Sequence, residues 1–208
     1  MKRFLLLTLL GFSLSQPVLA GNGFELGPSK IELTLAPGDQ IKQELTLTNH
    51  TTIAVQATVT VTDFSAGRDS TTPVRLLDDE PNPFALKPFL TPQLRSFVLL
   101  AGQSINLPVL LDLPENASPG DRYGAVVVSL VPTDRATQTV SSVGALFFVR
   151  VTGLVSEAGR LVAFGRLDDN SFHLDYENTG QVYLKPYGRL TLTNRLTGEN
   201  FSKNIDPW

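Results

Sequence analysis

The sequence predicts an all-β protein: an immunoglobulin-like antiparallel β-sandwich followed by a second, incomplete immunoglobulin-like unit. Three observations predict it. Apolar and polar residues alternate at period two through most of the chain, the spacing of strands with one wet face. Turn chemistry such as Pro37-Gly38-Asp39 and Asn178-Thr179-Gly180 punctuates the alternation at short intervals. Beyond the first twenty residues no segment shows the i, i+3, i+4 apolar spacing of an amphipathic helix. Composition agrees. In a chain of 208 residues, 42% hydrophobic residues supply a core, and 18% charged residues are too few for a disordered polymer.

The first segment reads as an address. Lys2 and Arg3 precede the apolar run Phe4–Leu14, Gln16 and Pro17 break it, and Val18-Leu19-Ala20 offers a cleavage site ahead of Gly21. The run is roughly half of the ~20 residues that a membrane span needs. The expected organisation is a signal peptide over 1–20, a sandwich over 21–155 and a partial second sandwich over 156–208. The expected product is exported, to the cell surface, envelope or periplasm, without a membrane span after cleavage.

Strands follow in order. Ile31, Leu33 and Leu35 alternate with Glu32 and Thr34 before the Pro37-Gly38-Asp39 turn. Ile41, Leu45 and Leu47 form the next inward set, interrupted at Gln43, and Asn49-His50-Thr51-Thr52 turns the chain. Ile53, Val55, Ala57, Val59 and Val61 make the cleanest alternation, with β-branched residues on both faces. Residues 65–93 lose the pattern and hold five prolines; they are expected to be either a solvated connection, with a helical turn near Pro88, or a functional contact surface.

Phe97 and Leu99 then lead through a turn to Ile105, Leu107, Val109 and Leu111. Pro108 in that run predicts an edge strand or a bulge. Tyr123–Leu130 and Gly144–Val155 read as buried strands, with Phe147 and Phe148 on opposite faces. About seven strands across 28–155 suit an immunoglobulin-like sandwich. Val55, Val59, Val126 and one of Phe147 and Phe148 are its expected core. After Ser156-Glu157-Ala158-Gly159, Phe172, Leu174 and Tyr176, then Leu190 and Leu192, supply only three or four strands. A two-sheet sandwich takes roughly 100 residues, so the second unit is expected to be a piece of a longer one.

Several chemistries are excluded. The chain has no Cys and two His, which removes disulfides, thiolate metal sites, cysteine nucleophiles and multi-histidine centres. A net charge of −3 without a basic run argues against nucleic acid. His50 and His173 read as solvated surface residues. The carboxylate clusters Asp78-Asp79-Glu80 and Asp168-Asp169-Asn170 lack calcium-loop spacing. No nucleophile elbow or phosphate-cradling loop is present. The reading is therefore a non-enzymatic binding protein, with no catalytic residue, metal or cofactor expected. Aromatic residues in irregular segments, Phe84, Phe89, Tyr183 and Tyr187, are the candidate binding residues, because sugars and partners stack on exposed rings.

The Ile31–Leu47 strand pair with its Ala36-Pro37-Gly38-Asp39 turn, the Asn49-His50-Thr51 turn and Val61-Thr62-Asp63-Phe64 resemble the first sandwich of bacterial cell-surface proteins of the WxL-interacting, peptidoglycan-binding type. Leu113-Pro114 to Pro119-Gly120 with Tyr123-Gly124-Ala125 resembles its later part. Tyr176-Glu177-Asn178-Thr179-Gly180 and Pro186-Tyr187-Gly188 resemble the opening of the sandwich that follows. The resemblance implies an exported two-domain surface protein, commonly tethered by a C-terminal transmembrane helix, that contacts cell-wall glycan or an envelope protein. The architecture also resembles pilus-assembly periplasmic chaperones. That resemblance implies strand addition to a subunit and a basic cleft for the subunit's terminal carboxylate. Lys30 lies near the first strand, where such a cleft would draw on it.

Overall fold

The computed structural model describes residues 23–69, 72–78, 80–134, 139–168 and 171–207. The expected signal peptide, Asp79, Asp169 and Asn170 lie outside the described residues. Fourteen strands are described: β1 (Phe24–Gly27), β2 (Lys30–Leu35), β3 (Gln40–Asn49), β4 (Val55–Asp69), β5 (Thr72–Leu77), β6 (Leu90–Pro92), β7 (Ser96–Leu99), β8 (Ser104–Asp112), β9 (Gly120–Pro132), β10 (Ser141–Val151), β11 (Gly159–Arg166), β12 (Phe172–Asn178), β13 (Gly188–Thr193) and β14 (Asn200–Ile205). A 3-10 turn, Lys87–Phe89, precedes β6.

Two sheets face each other in the first unit. One runs β1-β3-β8-β6; the other runs β2-β10-β9-β4-β5, with β7 also paired to β4. All these pairs are antiparallel except β2 with β10. The first strand is shared between the sheets: β1 pairs β3, and after Gly27-Pro28 the chain continues as β2 beside β10. Pro28 has no N–H to give a ladder, which suits the crossing point.

Period-two burial builds the core. Leu45, Leu47, Leu107, Val109 and Leu111 point inward from one sheet, and Val55, Ala57, Val126, Val128, Leu130, Phe147 and Val149 from the other, all sealed from solvent. Fully burying each large side chain contributes about 1.5–3 kcal/mol. The expected core residues Val55, Val59 and Val126 are buried, and Phe147 is the inward member of its pair.

Three expectations need correction. Residues 65–93 are not a solvated connection. β4 runs on to Asp69, β5 folds back on it, Leu77, Leu86 and Leu90 are buried, and β6 pairs β8 through Leu90↔Leu111. The cause is non-local. The buried Asp63 carboxylate accepts the N–H groups of Leu86 (2.9 Å) and Lys87 (2.8 Å), ordering a proline-rich stretch that has no ladder of its own. Pro108 makes no bulge, and β8 is an interior strand of its sheet whose edge character is confined to the stretch that β6 leaves uncovered. Pro108 sits opposite Glu44 in an unbroken register with β3, and its absent donor falls where β6 gives out. The strand expected over 144–155 ends at Val151.

The second unit consists of two ladders. β11 pairs β12, with a register shift between Leu161 and Ala163, and β13 pairs β14. Phe164 and Phe172 stack at 5.8 Å across the first ladder, yet both remain exposed. A strap at Gln181–Tyr183 joins this unit to β9. The Asp121 N–H donates to the Gln181 carbonyl (2.8 Å), and the Tyr183 N–H donates to Asp121 Oδ2 (2.5 Å). Gly120, at φ +125, is required there, because a Cβ would lie 2.8 Å from the Gln181 oxygen.

Candidate binding edge and inter-unit cleft

Sheet edges expose unpaired backbone groups, and most edges of the first unit are guarded. β6 is three residues long and ends in Pro92, β5 carries Pro73 and Arg75, and β2 carries the Lys30–Glu32 ion pair (2.7 Å). β10 differs. It pairs β9 along its whole length, from Ser141↔Leu130 to Val151↔Gly120, but β2 covers only Leu146–Val151 on its other side. Among the described residues, no strand pairs with Ser141–Ala145 on that side. This stretch is Ser-Ser-Val-Gly-Ala, without charge or proline. The Leu146 N–H donates toward β2, to the Ser29 carbonyl (2.9 Å). By strand alternation the N–H groups of Gly144 and Ser142 point to the same, open side.

Beside the covered half of β10 lies an open cleft of about 570 Å³ between the first unit and the strap. Glu32, Thr34, Asp121, Tyr123, Phe148 and Arg150 line it from the sheet, and Tyr183, at the end of the strap, and Lys185, just beyond it, from the other side. Its wall on the sheet is aromatic. Phe148 lies 5.8 Å from Tyr123 and 5.2 Å from Phe64, and Phe84 packs on Tyr123 at 6.1 Å. Lys30 Nζ stands 5.1 Å from the Phe148 ring centroid.

Two cation–carboxylate pairs at the cleft, Arg150–Asp121 and Lys30–Glu32, are made within the chain. Arg150 donates to both Asp121 oxygens (2.8 and 3.0 Å), which raises the guanidinium's already high pKa. The Lys30 hydrogen bond and charge hold the Glu32 carboxyl below its usual range, with Lys185 adding to the effect. Burial, reinforced by the Asp121 carboxylate, pushes the Tyr123 phenol well above its ordinary value. Lys30 and Arg150 therefore already hold carboxylates of the chain itself.

The residues singled out from sequence separate. Tyr183 lines the cleft and Phe84 supports it through Tyr123. Phe89 packs against the core beneath the Arg122 guanidinium (5.5 Å). Tyr187 lies elsewhere, exposed in a groove with Arg189, Asn204 and Ile205. Sequence reasoning missed Asp121, Tyr123 and Arg150. The available signal was their outward phase on β9 and β10, opposite to that of Val126 and Phe147. His50 and His173 sit at the surface beside Glu25 (3.0 Å) and Asp175 (2.9 Å). Glu80 of the first carboxylate cluster is held by Arg75. Among the described residues no group of three or more metal-ligating side chains is gathered, and no helix is long and apolar enough to cross a membrane.

No family model and no curated protein matches the sequence. Solved structures do match in fold. The class 5 fimbriae chaperone CfaA aligns at a TM-score of 0.51 and 14% identity, over 89% of this chain and 82% of that one. The Salmonella enterica SafB chaperone in complex with SafA pilin aligns at 0.48 and 14%, over 90% and 85%. The PapD-like domain 7 of human CEP192 aligns at 0.46 and 16%, over 73% and 99%. These likenesses are ones of fold: the chain is an immunoglobulin-like β-sandwich protein whose structural neighbours at low identity include periplasmic pilus chaperones.

Proposed function

We propose that this chain is an exported, non-enzymatic binding protein that works in the cell envelope by pairing the open edge of β10 with an extended segment of a protein partner. The observation that carries the reading is the unguarded stretch Ser141–Ala145, where open N–H groups adjoin inward-facing Val143 and Ala145. Backbone pairing supplies affinity in such an arrangement, and alternate side chains supply selectivity. The fold likeness to fimbrial chaperones is consistent with it. Lys30 and Arg150 are engaged by Glu32 and Asp121, which speaks against those two as a free basic clamp and for strand pairing as the main source of affinity.

A direct test mixes the full chain with an unfolded pilin-type subunit whose own sandwich lacks a strand, and follows complex formation by gel filtration. Gly144→Pro removes an edge donor and leaves the β9 ladder intact; a Cβ at this position meets nothing closer than 3.7 Å. A stoichiometric complex that the Gly144→Pro variant fails to form supports the reading. No complex, or equal complex formation by the variant, overturns it. Contact with wall glycan is the second reading, favoured by the exposure of Tyr183 and Tyr187. Co-sedimentation with purified peptidoglycan that is lost in Tyr183→Ala and Tyr187→Ala would select it.

A further inference from the structure

The outward faces of the two sheets of the first unit differ in charge. On the sheet β1-β3-β8-β6 that face carries Glu25, Lys42, Glu44 and Asp112, all exposed. On the other sheet the outward residues run at every second position from Gln56 to Thr62 in β4, from Val127 to Val131 in β9 and from Ser142 to Leu146 in β10, with Ser96 and Val98 in β7. All of them are exposed or half-buried, and none is charged. Their phase is opposite to that of the buried Val55, Ala57, Val126, Val128 and Ala145. Register sets them in rows across four strands. Val98 and Val131 stand on either side of Gln56, and Thr58 joins Ser96 on one side to Ser129 and then Ser142 on the other. Val98 is 51% exposed and Val131 39%. Charge resumes at the border, where Lys30 and Glu32 of β2 pair with each other.

The polar groups of this uncharged face bond along the sheet. Gln56 Nε2 donates to Ser96 Oγ (2.8 Å), the Ser129 and Ser142 hydroxyls meet at 3.4 Å, and Thr62 Oγ1 donates to the Leu77 carbonyl. Groups paired in place lose water at less cost than groups left unpaired, so this face can be dried by a surface that offers neither charge nor donors. A second copy of the same face has that chemistry. In a two-fold pair both copies use one patch, and a charge near its centre would confront its own kind. The face bearing Lys42 and Glu44 fails that condition, and this one meets it. The area is sufficient as well. With strands about 4.8 Å apart and rows about 6.8 Å apart, the face covers about 400 Å² in plan. Side chains standing off the sheet expose more than this, so apposing two copies removes on the order of 1,000 Å², the lower bound for a specific interface.

We infer that two copies of this chain associate face to face about a two-fold axis, through the outward surface of β7, β4, β9 and β10. Sheets pack in this manner about 10 Å apart, with strand directions within about 30° of each other. The small side chains Thr58, Thr60 and Ser129 at the centre allow close approach, and Val98 and Val131 are covered at one end. Side chains alone make the contact. The backbone edge Ser141–Ala145 therefore stays unpaired in the dimer, which presents two such edges. The area sits at the lower bound for specific association, so the dimer is weak, with a dissociation constant of about 10–100 μM.

Sedimentation of the full chain, from well below to well above that concentration range, tests the inference. A monomer–dimer equilibrium is expected. Thr60→Arg places a guanidinium on each apposed face, and Thr60→Glu a carboxylate. Each variant alone is expected to weaken association about tenfold or more. An equimolar mixture of the two is expected to associate at least as tightly as the unmodified chain, because opposite charges then face each other. Thr46→Arg, on the charged outward face of β3, is expected to leave the equilibrium unchanged. A monomer at every concentration overturns the inference. So does a dimer that survives both Thr60 variants, which places the contact elsewhere, or a loss that the mixture does not restore, which assigns the effect to the fold of the variants. A dimer whose Gly144 amide is protected from hydrogen exchange overturns it too, and assigns the contact to the β10 edge.

Discussion

Leu47 and Tyr176 occupy the same place in the same local structure. Each stands two residues before a strand-ending asparagine, inward-facing, opposite a leucine of an antiparallel neighbour, Leu26 of β1 or Leu161 of β11. Leu47 is sealed, whereas Tyr176 is half-buried with its ring laid over Gly159. The two pairs of strands have the same alternation and the same turn, in which the asparagine Oδ1 accepts from the N–H two residues on and its Nδ2 donates to the carbonyl four residues on. They differ in what covers them: β8 on one flank and the second sheet across the core in the first unit, and neither among the described residues of the second. Strand pattern and turn chemistry thus set local geometry, and burial arises only when a non-local partner closes over it.

Matched substitutions break or sharpen this comparison. The largest difference is expected for Leu47→Asp against Tyr176→Asp. An unpaired carboxylate in the first core should cost about 5 kcal/mol or more, enough to unfold a typical domain. At the half-exposed position the cost should stay below about 1 kcal/mol. Chemical denaturation followed by circular dichroism measures both. Equal costs would mean that the second unit has a core of its own.

The two asparagines come next. Asn49 is fully buried, and its Nδ2 serves the Ile53 and Leu100 carbonyls while its Oδ1 accepts from Thr51. Asn49→Ala strands those groups out of water and should cost about 2–3 kcal/mol. Asn178→Ala exposes the same turn to solvent and should cost about 0.5–1 kcal/mol. A ratio near one would show that the turn, and not its cover, sets the energy.

The joint between the units is the third place to press. Arg150 satisfies a nearly buried Asp121 that also accepts the Tyr183 N–H. Removing one partner of a buried pair costs about 3–5 kcal/mol; the arginine side chain is 44% exposed, so the lower half of that range or less is expected for Arg150→Met. Exchange at Tyr183 should accelerate while exchange at Val126 does not. Parallel acceleration at both would mean that Asp121 braces the first sandwich and not the joint.

How much of this was legible in the sequence follows the same division. Val55, Val59 and Val126 were readable because alternation reports a strand's inward face directly. The Asn178 turn was readable as a turn, but its identity with the Asn49 turn appears only in the hydrogen bonds, since the two share no side chain beyond the asparagine at equivalent positions. The order within 65–93 was not legible. It depends on Asp63, distant in sequence from the amides of Leu86 and Lys87 that it binds, and on a three-residue strand too short to show a period. The cleft residues Asp121 and Arg150 look like ordinary outward charges until register places them side by side. Of the aromatic candidates, Tyr183 reached the cleft because the strap carries it there, while Tyr187 lies beyond the strap on the other side of Pro186.

The smallest expected effect tests the same joint by pH. Tyr123 is enclosed by Phe64, Phe84 and Phe148 and stands beside Asp121, and its phenol is raised from an ordinary pKa of 10.0, first by burial and then by that carboxylate. The sign follows from linkage. Below about pH 10 the phenol is protonated in both folded and unfolded chains and contributes no pH dependence. As pH rises past 10 the unfolded chain releases its proton while the folded chain retains it, so unfolding gains free energy and stability falls. Tyr123→Phe removes this loss and keeps the ring contacts. Melting curves between pH 8 and 11 should therefore coincide with those of the unmodified chain at pH 8, apart from a constant offset, and decline less steeply above pH 10. The other tyrosines are common to both chains and cancel in the difference. Parallel declines would show that Tyr123 ionises freely in the folded protein and that the aromatic wall is open to water.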